Sequence, residues 1–407
     1  MQGLSWCNRQ TLQGSTWNDV QRPVSNPVRA AIDKVLTSLD GAVLSREECL
    51  RLAHAEGDDL FGLVVAANDL RQRLVGDVVS YVVTRNINFT NVCFVGCKFC
   101  AFSVGPRDET AYFLSLDEMA HKCREAEEWG ATEVCIQGGL PRNLPPFYYR
   151  DILRAVKSAT PRMHAHAFSP MEMVYGVELT GMPIREYLQM LKENGLDTLP
   201  GTAAEILDDS VRHVLSRNKL SSAQWCEVIE TAHRWGIRST STMMYGHSET
   251  PEHWVNQMLL LREIQSRTGG FTEFVPLGFI HDNTLLFAQG LSRQGGTQAE
   301  HVKVHALARL LLAGSINHIQ VSWVKLGREL SQLALLAGAD DYGGTLFEEN
   351  ISRLAGATAG QYTSVTEFQE RILELGRVPA QRNTVYTQYT YPVTGTPIEP
   401  VTAGGNA

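Results

Sequence analysis

The segment NINFTNVCFVGCKFCAF, residues 86–102, carries the most informative pattern in this chain. A β-favouring run leads into three cysteines, Cys93, Cys97 and Cys100, which are spaced as CxxxCxxC. Thiolates are soft ligands that suit zinc and iron–sulfur clusters, and a closed structural zinc site takes four ligands. Three clustered thiols therefore predict a 4Fe-4S cluster whose fourth iron stays open to another ligand. A zinc knuckle or a chance spacing is the alternative interpretation.

Short β-favouring runs alternate with helical patterns along most of the chain. The runs predict strands at 82–88, 133–137, 163–167, 198–200, 238–244, 273–277, 316–322 and 340–343. Helices are predicted between them at 116–129, 146–159, 184–194, 221–235, 251–268 and 298–312. This alternation is typical of an α/β protein with a parallel sheet, and eight units fit a closed TIM-type (β/α)8 barrel better than an open sheet.

The segments outside these units have different patterns. Residues 1–26 are rich in Ser, Asn, Gln and Thr, and we expect a poorly ordered arm there. Helical spacing of apolar positions predicts an N-terminal helical segment at 27–78, ahead of a barrel at 79–360. Residues 361–407 predict a C-terminal helix near 365–375 followed by a loose tail rich in Pro, Thr and Gly.

Composition excludes several classes of function. The formal net charge is −8, and the sequence has no block of Lys and Arg, so nucleic acid and membrane surfaces are not expected partners. No stretch reaches the roughly 20 apolar residues that span a bilayer. Eight cysteines in 407 residues are too few for a disulfide scaffold. We expect a cytoplasmic enzyme that acts on a small molecule.

Polar and glycine-rich motifs follow the predicted strands at their carboxyl ends, where loops of parallel α/β folds meet and ligands bind. Gln137, Gly138 and Gly139 follow the second strand, and their alternative is an ordinary tight turn. Glu205 follows the fourth strand and is also explained as a glutamate favourable at a helix start. His164 and His166 share one strand face and are predicted to be core histidines.

The cysteine spacing, with an aromatic residue before the last cysteine, resembles the motif of the radical S-adenosylmethionine (SAM) superfamily. The resemblance implies that the open iron chelates SAM and that one electron cleaves it to a 5′-deoxyadenosyl radical. It also implies that Phe99 packs near the adenine, that Gln137, Gly138 and Gly139 hold the methionyl amino group, and that Glu205 bonds a ribose or a substrate amine.

Longer stretches resemble one family in particular, the second subunit of the synthase that makes the deazaflavin FO. They are residues 86–102, 164–172 (HAHAFSPME), 195–209, 239–247 (STSTMMYGH), 268–277 (TGGFTEFVPL), 319–327 (IQVSWVKLG) and 343–356. The resemblance implies transfer of the 4-hydroxybenzyl group of L-tyrosine to 5-amino-6-(D-ribitylamino)uracil. It further implies a polar lining of catalytic candidates, which are Glu172, Glu205, Tyr245, His247, His281 and Glu349. Lys325 is a candidate to hold a carboxylate, and Trp323 a candidate wall.

The resemblance also implies partners: a low-potential electron donor of flavodoxin or ferredoxin type, and the radical enzyme that forms the first subunit of FO synthase. Two alternatives stay open. One is a radical SAM enzyme of the futalosine route to menaquinone, similar to cyclic dehypoxanthinyl futalosine synthase, which shares the NINFTNVC-like and FSP-like segments. The other is a non-catalytic iron–sulfur or zinc protein, which would need a fourth ligand.

Overall fold

The structure is a computed structural model that describes residues 5–38 and 43–392. Its strands are β1 Val78–Val82, β2 Thr84–Asn88, β3 Glu133–Gln137, β4 His164–Ala167, β5 Thr198–Leu199, β6 Arg238–Tyr245, β7 Phe271–Gly278, β8 Asp341–Gly344, β9 Val378–Arg382 and β10 Tyr389–Thr390. Its α-helices are α1 Arg9–Leu12, α2 Asn26–Thr37, α3 Arg46–Ala53, α4 Gly57–Val75, α5 Leu116–Glu128, α6 Tyr148–Ala159, α7 Pro170–Thr180, α8 Ile184–Glu193, α9 Asp209–Leu215, α10 Ser222–Arg234, α11 Pro251–Thr268, α12 Leu285–Ala288, α13 Gln298–Leu312, α14 Trp323–Leu336, α15 Ile351–Ala355 and α16 Val365–Leu373.

The strands form a ring. β2 to β7 make a six-stranded parallel sheet in chain order, which curves around most of a barrel. Parallel bridges join Phe274 to Ile319 and Gln320 to Asp341, which carries the ring from β7 to β8. β8 pairs in parallel with β1, which runs on through Val83 into β2. The predicted α/β barrel is therefore confirmed.

Helix starts in this barrel follow from a short sequence signature. A Ser or Thr at the N-cap and a Glu or Gln three residues later bond reciprocally to free backbone N–H groups. The structure has this capping box at α5, α7, α10 and α13. The pattern explains why the predicted helices at 116–129, 221–235 and 298–312 begin within a residue of their observed start.

The seventh predicted strand, 316–322, differs from the structure. Ile319 and Gln320 make only isolated bridges, and helix α14 begins at Trp323. The segment Trp323 to Gly327, expected in a loop after that strand, therefore lies on the first turns of a helix. Gly327 has φ 71°, which breaks the helical geometry there. The run is apolar because it is buried, and burial alone does not distinguish a strand from a helix.

Residues 5–26 do not form the loose arm expected from their polar composition. Trp6 and Trp17 are buried, and the Trp6 ring packs edge-on against Phe61 of α4. The Trp17 indole N–H donates to Asp33 of α2 at 2.7 Å. Aromatic side chains bury large apolar areas, so two tryptophans hold a polar segment onto the helices. Residues 1–4 lie outside the described part, and the domain boundaries stay a prediction.

The segment after α16 also differs from the expected loose tail. β9 pairs in parallel with β1, and Arg382 at its end is buried against the amino ends of two barrel strands. Its guanidinium donates to Asp341 at 2.5 and 3.1 Å and to Glu273 at 3.1 Å. This segment therefore closes the end of the barrel opposite the cysteine loop. Residues 393–407 of the predicted tail lie outside the described residues.

No helix within residues 5–38 and 43–392 is both long enough and apolar enough to cross a bilayer.

Candidate active site

The cysteine loop follows β2, and its backbone is tied to two neighbouring loops. Phe94 N–H donates to Leu140 O at 3.0 Å, which fastens the loop to the turn after β3. Lys98 N–H donates to Leu215 O at 2.9 Å, which fastens it to the end of α9. These bonds hold the three cysteines at the carboxyl end of the barrel.

The three thiols are free and partly buried. The Cys97 thiol contacts the Ser216 hydroxyl at 3.3 Å, and burial raises the pKa of Cys97 to about 11. Within the described residues, no group of three or more His, Cys, Asp or Glu side chains stands in a ready-made metal-binding arrangement. The donor set itself, three soft thiols on one short loop, fits an iron–sulfur cluster.

The glycines after β3 are required by close approach to this loop. A Cβ on Gly139 would lie 2.2 Å from Val92 O and 3.1 Å from the Cβ of Cys93. A Cβ on Gly138 would lie 2.5 Å from the ring of Phe89. A real Cβ cannot approach other atoms to 2.2 or 2.5 Å, so the turn needs glycine at both positions whether or not a cofactor binds there. Their predicted contact with SAM stays a prediction.

Glu172 forms hydrogen bonds that hold the same turn. Its carboxylate accepts from Gly138 N–H at 3.1 Å and from the backbone N–H and hydroxyl of Ser169, each at 2.7 Å. The side chain is only 1% exposed. Burial raises the pKa of Glu172 to about 7, although these hydrogen bonds favour the carboxylate. The structure places this predicted catalytic residue as a link between α7 and the glycine turn.

Glu205 lies at the centre of a second buried cluster. Its carboxylate pairs with Lys219 at 2.6 Å and lies 3.6 Å from Arg212. The Lys219 ammonium also lies 4.9 Å from the centroid of the Phe99 ring. Glu205 has φ 40° and Ala203 φ 66°, which is unusual for residues with side chains. Two cations therefore hold a strained loop beside the cysteine loop.

Arg212 braces this strained loop through its backbone. Its guanidinium donates to Ala203 O at 3.0 Å, to Leu220 O at 2.7 and 3.1 Å, and to Ala204 O. Gln137 adds a bond from the other side, since its side-chain amide donates to the Thr202 hydroxyl at 2.7 Å. The predicted pair Gln137 and Glu205 is thus brought to the same loop.

Two other predicted residues after β6 are committed to internal contacts. The Tyr245 hydroxyl bonds to Nδ1 of His301 at 2.8 Å, and the Tyr245 side chain is fully buried. His247 is also fully buried, and its Nε2 lies 3.0 Å from Met244 O. Burial lowers the pKa of His247, which keeps the ring neutral and able to donate to that carbonyl.

The last two predicted residues lie on separate loops. The Glu349 carboxylate accepts from Ser352 N–H at 2.9 and 3.1 Å, at the start of α15. His281 is partly exposed and packs edge-on against Phe287 with 4.5 Å between ring centroids. Of the catalytic candidates predicted, His281 is the one that lines a cavity described below.

Two cavities lie at this end of the barrel. The first, of about 440 Å³, is lined by Asn86, Asn88, Asn91, Ala101, Phe102, Val104, Thr110, Tyr112, Leu114, Lys122, Glu348, Asn350, Arg353 and Leu354. The second, of about 530 Å³, is lined by residues 278–282, 294–296, His301, 324–327 and 356–359. Both fall within the range of small-molecule sites.

Sequence reasoning missed Lys219, Arg212 and Ser216, which lie on α9 and the loop after it. Their signal was weak, because a Lys or Arg near a helix end is usually solvated. The contacts that give them a role join residues far apart in the chain, such as Cys97 to Ser216.

Two family models match the chain in succession: the Radical SAM superfamily at residues 87–261 and the CofH/MqnC C-terminal region at residues 268–395. Among solved structures, the FeFe-hydrogenase maturase HydG from Carboxydothermus hydrogenoformans gives a TM-score of 0.69 at 16% identity, over 91% of this chain and 83% of that one. Methylornithine synthase (PylB) gives 0.64 at 18% identity, over 86% and 97%. The barrel and its cysteine loop are thus those of a radical SAM protein, a class that implies a 4Fe-4S cluster and SAM.

Sequence relatives narrow the class. The 5-amino-6-(D-ribitylamino)uracil–L-tyrosine 4-hydroxyphenyl transferase of Methanocaldococcus jannaschii is 49% identical over 346 residues, which are 84% of this chain and 96% of that protein. The FO synthase of Mycobacterium leprae is 50% identical over 379 residues, 91% of this chain and 44% of that protein. The FO synthase of Streptomyces coelicolor is 52% identical over 363 residues, 89% and 42%. The chain belongs to the family of the 4-hydroxyphenyl transferase, and it spans less than half the length of these FO synthases.

Proposed function

We propose that this chain transfers the 4-hydroxybenzyl group of L-tyrosine to 5-amino-6-(D-ribitylamino)uracil, a step in making the deazaflavin FO. The observation that carries the proposal is the 49% identity that extends over 96% of the Methanocaldococcus jannaschii transferase. A match over nearly the whole of a relative includes the loops at the strand ends, where substrates bind in barrels.

We infer the residues that would hold the cofactors from the family resemblance, supported by the contacts between the cysteine loop and the glycine turn. Cys93, Cys97 and Cys100 would ligate the cluster, and the turn at Gly138 and Gly139, which touches the same loop, would receive SAM. Bound there, the reduced cluster and SAM would supply a 5′-deoxyadenosyl radical.

The protein itself would fix the positions of the loops around the cofactors. Lys219 lies over the Phe99 ring and pairs with Glu205, so that it links the loops after β2 and β5. Glu172 holds Gly138 by a backbone hydrogen bond. We propose that Glu172, Glu205, Tyr245, His247 and Glu349 are positioning residues, because their polar atoms are engaged within the protein. His281 remains a candidate for contact with substrate because it lines a cavity.

Three further points belong to this proposal. An electron donor of flavodoxin or ferredoxin type would reduce the cluster, a second radical enzyme would close the deazaflavin ring, and the enzyme would be cytoplasmic. The first two points rest on the family resemblance, and the third rests on the composition of the sequence.

Anaerobic reconstitution with iron and sulfide tests the proposal. The reduced protein, given SAM, tyrosine and the ribitylaminouracil, should form 5′-deoxyadenosine and an adduct of the uracil detected by mass spectrometry. The family model for the C-terminal region is shared by two kinds of enzyme, CofH and MqnC. A parallel reaction should therefore contain a futalosine derivative in place of tyrosine and the uracil. Turnover of that compound without any uracil adduct would overturn the proposal in favour of the menaquinone route.

A further inference from the structure

Each of the two cavities has a lining residue near Cys100, the last cysteine of the loop. Ala101, directly after Cys100, lines the first cavity, and Lys325 lines the second. Cys100 and the Glu349 carboxylate are near enough to act electrostatically on the Lys325 ammonium. Glu348, the residue before Glu349, lines the first cavity. Both cavities are therefore near Cys100, a residue that would ligate the predicted cluster.

The charges that line the two cavities differ. In the first cavity, Lys122 pairs with Glu348 at 2.8 Å, and Arg353 donates to Asn350 at 3.3 Å. In the second, the side-chain ammonium of Lys325 makes no hydrogen bond and no ion pair of 4.0 Å or less with any residue of the described ranges 5–38 and 43–392. A partly buried ammonium without a partner is costly, and an anionic group of a ligand would relieve that cost.

The first cavity instead offers neutral amides. Asn86 and Asn88 lie on the inner face of β2, and the side-chain oxygen of each is buried without a hydrogen-bond partner among the described residues. The Asn88 amide nitrogen donates to Gln137 O at 3.2 Å, which fixes its orientation. Amides pair well with the alternating N–H and C=O edge of a uracil-like ring, and free oxygens accept from hydroxyls.

We propose that the two substrates occupy separate cavities. The α-carboxylate of the amino acid binds Lys325 in the second cavity, and the ribitylated uracil binds Asn86 and Asn88 in the first. This assignment rests on the proposed function and adds to it which residues recognise which substrate. Because each cavity has a lining residue near Cys100, the fragment cleaved in one would form close to the acceptor held in the other.

Steady-state kinetics of two variants test the assignment. Lys325→Met removes a charge-assisted bond and should raise KM for tyrosine at least about tenfold, while KM for the uracil stays within about twofold. Asn86→Leu removes a neutral acceptor and should raise KM for the uracil about fivefold, with KM for tyrosine unchanged. Lys34→Met and Asn256→Leu, at exposed positions of the same residue types, are the matched controls.

A binding measurement on the unreduced holoprotein separates this assignment from the proposed function. Wild-type protein should bind tyrosine at least about tenfold more tightly than tyramine, which lacks the carboxylate, and Lys325→Met should abolish that preference. An unchanged preference in Lys325→Met, or equal rises in both KM values in both variants, would overturn the assignment. Wild-type protein that forms no adduct refutes the proposed function, and the tyrosine-to-tyramine ratio still decides the role of Lys325.

Discussion

The buried pair of Glu205 and Lys219 gives a prediction whose size follows from the structure. The carboxylate and ammonium lie 2.6 Å apart, and their side chains are only 10% and 12% exposed. Removing one partner of such a pair leaves an uncompensated buried charge, which costs about 3–5 kcal/mol. Because Glu205 also lies 3.6 Å from Arg212, Glu205→Gln leaves two cations without their carboxylate. We therefore expect Glu205→Gln to lower the free energy of unfolding by about 4 kcal/mol.

A double-mutant cycle isolates the interaction. Urea unfolding of wild type, Glu205→Gln, Lys219→Met and the double variant should give a coupling energy of about 2 kcal/mol, because residues in contact deviate from additivity by this order. Hydrogen exchange of the loop at residues 201–208 should speed up in both single variants. A coupling energy below about 0.5 kcal/mol, with unchanged exchange, would refute the view that this pair holds the loop.

Three other variants test other parts of the molecule. The pKa of Glu172 is raised from 4.5 to about 7, so its contribution to stability is complete below pH 4.5 and is lost as the pH rises through 7. The free energy of unfolding of the wild type should therefore fall by on the order of 3 kcal/mol between these limits, and Glu172→Gln should remove that fall in urea titrations. An equal dependence on pH in Glu172→Gln and wild type would contradict this. Cys97→Ala should abolish reductive cleavage of SAM, whereas Cys226→Ala on α10 should retain it, as chromatography of 5′-deoxyadenosine would show; full cleavage by Cys97→Ala would refute the ligand assignment. Arg382→Met should lower the free energy of unfolding by about 3–5 kcal/mol, because Asp341 and Glu273 lose a buried partner. A change below about 1 kcal/mol would show that the segment containing β9 does not close the barrel.

The barrel and the cysteine loop could be predicted because their signals are local. Strands such as β3 and β6 are short β-favouring runs between helical patterns. The starts of α5 and α13 are marked in the sequence by capping boxes. The three cysteines lie within eight residues, so their spacing is readable without any tertiary information. The radical SAM class and the family, both predicted from these stretches, are confirmed by the comparisons.

The rest depended on contacts between distant segments. Nothing local shows that Arg382 meets Asp341 and Glu273, so a buried strand was taken for a loose tail. The polar side chains that follow each strand were predicted to face a substrate. Their orientation depends on contacts with residues that are distant in the sequence. The Tyr245 hydroxyl, for example, bonds to His301, which lies on a helix far along the chain, and the sequence gives no sign of this contact.

Positional labelling of tyrosine shows which of its carbon atoms this chain transfers. With tyrosine carrying carbon-13 at Cβ, we expect a uracil adduct that contains the label. With the label at Cα, we expect an adduct without label, because the Cα–Cβ bond is the one that breaks. Cleavage of SAM to 5′-deoxyadenosine with no labelled adduct from either tyrosine, or an adduct that keeps the Cα label, would contradict the claim that this chain transfers the 4-hydroxybenzyl group.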